Sequence, residues 1–317
     1  MHYLIIFTSL FVLAQAYLIV AKKNNIIDKP NERSSHSNPT IRGGGIVFFF
    51  SIILFYFISD YQYPYFILGA LLVSLISFID DIITLGFKIR LIIHFIAISL
   101  LFLEIDLFDN STLIILFTLI TSVAILNIYN FMDGINGITG LCSLSSLLGI
   151  YLLNLKLEIL NPNLIIYLIL SIIVFGFYNF RKKALFFAGD VGSISIALAV
   201  IFLILNLLIK NNTPSVLLFI GIYLTDGIIT IIKRILKKDN IFKPHKSHLY
   251  QKLVQNTSLS HLQVSVSYAI LQLLLVVPVY LLEPLSFWNQ IIGTCITFFI
   301  LTCIHIGVSK KISYSSY

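Results

Sequence analysis

Apolar residues along this chain run in blocks of about 15 to 20 with short polar stretches between them, rather than at the spacing of a helix with one wet face. A hydrocarbon core of about 30 Å takes about 20 helical residues. On that scale the pattern predicts eleven spans, at 3–21, 45–59, 64–82, 89–103, 112–129, 137–153, 162–179, 193–209, 214–232, 263–282 and 288–308. Several are short, so tilt or interruption is expected in one or two. The fold class that follows is an all-α integral membrane protein, a polytopic bundle of about 10–11 transmembrane helices forming one membrane domain over 1–317.

The charges between the spans give the orientation. With loops assigned alternately to two sides, all of the 21 Lys and Arg residues except Lys156 and Lys210 fall on one side. One missed span would swap every later loop, so this asymmetry supports the count, and by the positive-inside rule the basic side is cytoplasmic. The N-terminus is then expected outside and the C-terminus in the cytoplasm. Ala14-Gln15-Ala16 resembles a cleavage site, but no basic segment precedes it and the apolar run continues to Val20. The first span therefore reads as a retained helix. Trp288 lies on the opposite side, as an interfacial aromatic does, with Asp60, Glu104, Asp106, Asp109, Glu158 and Glu283.

Composition agrees: 58% of residues are hydrophobic and 11% charged, far from a soluble mixture. The net charge of +7 does not point to nucleic acid, because the basic residues sit between apolar runs rather than along one polar face. Cys142, Cys295 and Cys303 lie inside apolar runs without metal or disulfide spacing and read as small buried hydrophobes.

The cytoplasmic side also holds polar clusters that the bilayer does not require. Arg33-Ser-Ser-His36 leads through Pro39-Thr40-Ile41-Arg42 to Gly43-Gly44-Gly45, where Arg42 can hold an anion and glycine amides can approach a ligand; a flexible turn is the alternative. Asp80 and Asp81 end an apolar helix, which suits a divalent metal or a proton-sharing pair, or else a solvated helix end. Asn127, Asn130 and Asp133 recur every three residues, so they share a helix side that offers oxygen ligands until Gly134 and Gly137 break it; a packed interhelical hydrogen-bond cluster is the bland reading. Gly189-Asp190-Val-Gly192-Ser193 opens the next long span, where amides bind phosphate and Asp190 can bind metal or simply cap the helix. The longest loop carries Pro244-His245-Lys246-Ser247-His248, suited to phosphate binding or proton transfer, although lysines beside a membrane are usually topological. Asp226, inside the preceding span, is an intramembrane acid in need of a role.

In this order the motifs resemble the polyprenyl-phosphate N-acetylhexosamine-1-phosphate transferases, over most of the chain from Arg33 to about Leu253. The resemblance implies attack by a polyprenyl phosphate, such as undecaprenyl phosphate, on the β-phosphorus of a UDP-N-acetylhexosamine, with release of UMP at the cytoplasmic face. It implies Mg²⁺, with Mn²⁺ as a substitute, and is compatible with a homodimer in the bacterial cytoplasmic membrane. Residue by residue, it makes Asp190 the metal-binding acid with Asn130 beside it, Asp80 the acid that deprotonates or positions the lipid phosphate, and Asp81 its partner. Asp133 matches the position linked to the nucleotide, with Arg42, Asn127 and His245 among the substrate-binding residues, and His248 matches a histidine for pyrophosphate handling or sugar recognition. Two departures narrow it. No run of consecutive histidines follows His248, which argues against a muramoyl-pentapeptide substrate, and Asn136 stands where an acid is common. The form of the histidine loop resembles the branch that starts O-antigen and other surface polysaccharides. A secondary transporter is the rival reading, but the halves of the chain show no repeat and the polar motifs gather on one face.

Overall fold

The computed structural model describes residues 1–28, 39–240 and 246–314; Arg33 to His36, Lys243, Pro244 and His245 lie outside the described residues. The chain is built of helices: α1 (His2–Lys23), α2 (Ile46–Ile58), α3 (Pro64–Ile82), α4 (Phe87–Glu104), α5 (Thr112–Met132), α6 (Ile138–Leu157), α7 (Pro162–Asn179), α8 (Gly189–Asn211), α9 (Gly221–Leu236), α10 (Leu249–Asn256), α11 (His261–Leu274), α12 (Val276–Leu282) and α13 (Phe287–Tyr314). The strands β1 (Ile27–Asp28) and β2 (Thr40–Ile41) form one antiparallel pair, with Ile27 opposite Ile41.

Among the described residues nine helical segments are long and apolar enough to cross a membrane. All eleven spans expected from the sequence are helical, and the two outside the nine have physical reasons to be. Helix α2 has only 13 residues, about 20 Å at 1.5 Å per residue, and α4 carries Lys88, Arg90 and Glu104 within its 18. The span expected at 214–232 starts as a 3₁₀ turn, Pro214–Ile220, before α9. That at 263–282 breaks after Leu274, the residue four before Pro278, whose ring excludes the normal helical contact with that carbonyl.

Helix α8 is the centre of the bundle. It packs on α2, α3, α5 and α6, and 89% of its apolar window is buried, against 11% for α13 at the periphery. Proline opens α3 and α7, where a missing N–H costs nothing, and the Asn161 side chain caps α7 at Asn163 N, 3.0 Å. At one end of the bundle the Glu104 carboxylate accepts from Tyr65 N and Phe66 N at 2.6 and 3.0 Å, capping α3, and Lys156 pairs with Glu283. The opposite end brings together the last turns of α3 and α5 and the first turns of α2, α4 and α8.

Candidate active site

At that opposite end three carboxylates and two arginines meet from four segments distant in sequence. Asp80 and Asp81 close α3, Asp190 opens α8, Arg42 precedes the glycine run and Arg90 lies in the first turn of α4. Arg42 Nε is 2.6 Å from Asp81 Oδ1, and its Nη2 is 2.9 Å from Asp190 Oδ1. Arg90 Nη1 bridges Asp80 Oδ2 at 2.9 Å and Asp190 Oδ2 at 3.1 Å. The Asp80 and Asp190 carboxyls are within hydrogen-bond reach of each other, as are Asn130 and Asp190. Two arginines against three carboxylates leave one formal negative charge.

The helix-end geometry explains the arrangement. The Asp81 carboxylate accepts from Asp190 N at 2.9 Å and Val191 N at 3.1 Å, so it caps α8, where the helix dipole favours negative charge. Asp80 accepts from Leu85 N at 2.6 Å, turning the chain from α3 toward Arg90. Asp80 and Asp81 are 6% and 9% exposed, which excludes a solvated helix end. Burial works against the Arg42 charge, yet Asp81 and Asp190 outweigh it and hold the guanidinium above its usual range.

The glycine run acts differently from the expectation that its amides would face a ligand. Gly44 N and Gly45 N donate to Phe187 O and Ala188 O at 2.8 and 3.0 Å, so two of the three amides are consumed by backbone. The glycines instead allow two chains to touch: a Cβ at Gly45 would lie 2.4 Å from Gly192 Cα, and one at Gly189, whose φ is +72°, 2.5 Å from Asp81 Oδ2. This contact sets Arg42 beside Asp190.

Helix α5 carries Asn127 and Asn130, and Asp133 follows it as its C-cap, outside the helical turn. Asn130 Oδ1 accepts from Ser193 Oγ of α8 at 3.3 Å, which puts Asn130 against the Asp190 turn. Asn127 bonds back to Val123 O at 2.7 Å and reaches His94 at 3.5 Å, one to two turns deeper. Asp133 ends α5, and burial pushes its carboxyl up to about 7, against the lowering influence of Thr139. Gly137, at φ +88°, starts the next helix.

His248 lies apart from the aspartate cluster, in a buried network around Asp226 described below. Arg90 is the residue that the sequence reading passed over, having counted it only as topological charge. Its signal is an arginine inside the first turn of a largely apolar span, nine residues after Asp81. Its Nε is buried without a hydrogen-bond partner among the described residues, a donor that an anionic ligand would satisfy. A cleft of about 910 Å³ reaches Thr40, two residues before Arg42 in the chain; Lys182, Lys183, Asn136 and His261 line it together with apolar Phe187 and Val254.

Asp190, Asn130 and Asp80 together offer the hard oxygen donors that a small divalent cation takes. Among the described residues no three His, Cys, Asp or Glu side chains surround one point as a ready cage. A cation that keeps waters and uses one or two carboxylates plus substrate phosphates does not need one.

Residues 63–208 match the model for glycosyl transferase family 4. The chain is also similar to a probable undecaprenyl-phosphate N-acetylglucosaminyl 1-phosphate transferase of Bacillus subtilis (strain 168), at 25% identity over 258 residues, 74% of this chain and 71% of that protein. The matched stretch contains Asp80, Asp81, Arg90, Asn127, Asn130, Asp133 and Asp190; Arg42, Asp226 and His248 lie outside it.

Proposed function

We propose that this chain, whose residues 63–208 match the model for glycosyl transferase family 4, transfers a sugar-1-phosphate from a nucleotide sugar to a polyprenyl phosphate in the membrane. The finer reading is that the donor is a UDP-N-acetylhexosamine, GlcNAc or a deoxy derivative, and the acceptor undecaprenyl phosphate. The reaction would then start a surface polysaccharide of the O-antigen kind, and the end of the bundle that bears the aspartates would face the cytoplasm. The observation that carries the proposal is the convergence of Asp80, Asp81 and Asp190 with Arg42 and Arg90 at helix ends.

The chemistry joins two anions, so alignment and charge neutralisation matter more than a strong base. A lipid phosphate monoester has its second pKa near 6 and is largely ionised at neutral pH. Its oxygen attacks the β-phosphorus of the donor, the new O–P bond forms as the bond to the α-phosphate oxygen breaks, and UMP leaves in the same step. Arg90, with an unused Nε donor, and Arg42, one-third exposed and with donors beyond those given to Asp81 and Asp190, receive phosphate oxygens. Asp80 orients the acceptor phosphate through Arg90. Asp133 and the cleft beside Asn136 receive the nucleoside. Asp190, with Asn130 and Asp80, would hold Mg²⁺, and the chemistry the ion would supply is positive charge to offset the diphosphate.

The test is UMP release by purified protein from a panel of UDP-N-acetylhexosamines, with and without undecaprenyl phosphate and Mg²⁺. Release that needs the lipid and the metal supports the reading. Substrate accumulation in sealed liposomes without UMP release would replace it with transport.

A further inference from the structure

The most heavily bonded buried acid in the described residues lies outside the aspartate cluster. Asp226 is 1% exposed and sits ten residues before the end of α9, about 15 Å of helix into the span. An acid at that depth is costly unless its oxygens are fully engaged, and here six polar groups surround them. His248 Nδ1 lies 3.3 Å, Leu249 N 3.0 Å, Thr230 Oγ1 3.2 Å and His305 Nε2 3.4 Å from Oδ1; Tyr268 Oη donates to Oδ2 at 2.8 Å and Tyr250 N at 3.3 Å. These partners come from α9, α10, α11 and α13, so one carboxylate ties four elements.

Two of the donors are the first amides of α10, where a negative charge is favoured at a helix start. Helix α10 in turn reaches the candidate active site: Tyr250 Oη donates to Phe131 O at 3.1 Å, and a Cβ on Gly134 would lie 2.2 Å from that hydroxyl. Asp226 thus fixes the segment that begins at His248 against the Asn130–Asp133 end of α5. The His248 side chain also accepts from Gln251 N as the N-cap of α10, so its ring is held between Asp226 and the start of that helix. On the far side, His305 Nδ1 has no hydrogen-bond partner among the described residues, so the polar contact of this intramembrane histidine is the one to Asp226.

We propose that Asp226 is a positioning residue, with Tyr268 and with His305 of the outermost helix α13 completing a clamp that holds the histidine segment in register with the Asn130–Asp133 face. The proposal rests on the transferase reading for its consequence in catalysis, but not for the clamp itself. It makes α13, otherwise peripheral, part of the working unit.

The experiment uses full-length protein in nanodiscs and follows amide hydrogen exchange in Asp226→Asn, Tyr268→Phe, His305→Ala and His305→Gln. The clamp predicts exchange at least 10-fold faster over residues 249–256 in the first three variants, with α3 and α8 unchanged. His305→Gln, which keeps a donor toward Asp226, recovers protection relative to His305→Ala. In UMP-release kinetics the same three variants lose kcat at least 10-fold while KM for the nucleotide sugar moves less than about 3-fold. Unchanged exchange over 249–256 in Tyr268→Phe and His305→Ala overturns the clamp, even where Asp226→Asn fails to fold. A wild type that releases no UMP from any donor overturns the transferase reading and leaves the exchange result to decide the clamp.

Discussion

Asp81 and Asp190 both pair with Arg42, yet removing them should have unequal consequences for stability. Asp190 is the third carboxylate among two arginines. Asp190→Asn leaves two matched pairs, Arg42 with Asp81 at 2.6 Å and Arg90 with Asp80 at 2.9 Å, so stability should stay within about 1 kcal/mol. Asp81→Asn removes the cap of α8. Breaking a buried pair by deleting one partner costs about 3–5 kcal/mol. Arg42 keeps Asp190 at 2.9 Å and is 33% exposed, so about 2 kcal/mol of that is expected. The substituted amide also turns one acceptor into an NH₂ facing Asp190 N or Val191 N, about 1 kcal/mol more. The sum of ~3 kcal/mol corresponds to a drop in Tm of about 6–12 °C for Asp81→Asn, against about 4 °C or less for Asp190→Asn. Thermal unfolding in one detergent, with UMP release measured on the same samples, provides the comparison. Asp190→Asn should lose at least about 100-fold in kcat without losing stability. Equal Tm losses in the two variants, or a stable Asp81→Asn, would refute the division into a capping acid and a working acid.

Arg90→Gln leaves Asp80 and Asp190 facing each other without their shared cation, so UMP release should fall at least about 100-fold, while Arg90→Lys, a point charge, should retain part of it. Gly45→Ala and Gly192→Ala put a methyl into opposing backbone and should lower Tm by the equivalent of about 1–3 kcal/mol, whereas Gly86→Ala, with nothing within 4 Å, should be neutral; thermal unfolding separates the three. Asp133 gives a pH signature. Its carboxyl is raised from an ordinary value near 4 to about 7, so between those values the folded protein keeps a proton that the unfolded chain has released. Its contribution to stability is therefore fullest below about pH 4 and lost as pH rises through about 7. The difference in Tm between wild type and Asp133→Asn should follow that course; a difference independent of pH between 5 and 8 would contradict it.

The bundle was legible because lipid imposes a length on apolar helices, and every expected span is helical. What the pattern did not disclose were interruptions whose cause is local, such as Pro278 breaking the penultimate span at Leu274. The aspartates were legible as acids that apolar helices have no reason to carry, and Asn130 as part of a three-residue repeat. Their partners were not, because pairing depends on which helix ends meet. Arg90 counts in the sequence only as one more loop charge, and nothing there singles out His305, because the acids they meet lie across the α3–α4 turn or more than 70 residues away. The glycine run was misread for a related reason: sequence shows that backbone can approach something closely there, but not that the something is the start of α8.

The central claim, transfer of sugar-1-phosphate rather than of sugar alone or of an intact solute, is tested most directly with UDP-GlcNAc labelled at the β-phosphorus. The protein is incubated with undecaprenyl phosphate and Mg²⁺, and the label is followed into the lipid phase. Sugar-1-phosphate transfer carries the label into the lipid as a diphosphate-linked sugar, in equal amount with unlabelled UMP, and Asp190→Asn abolishes it. Sugar that enters the lipid while the label stays on the nucleotide would contradict the account.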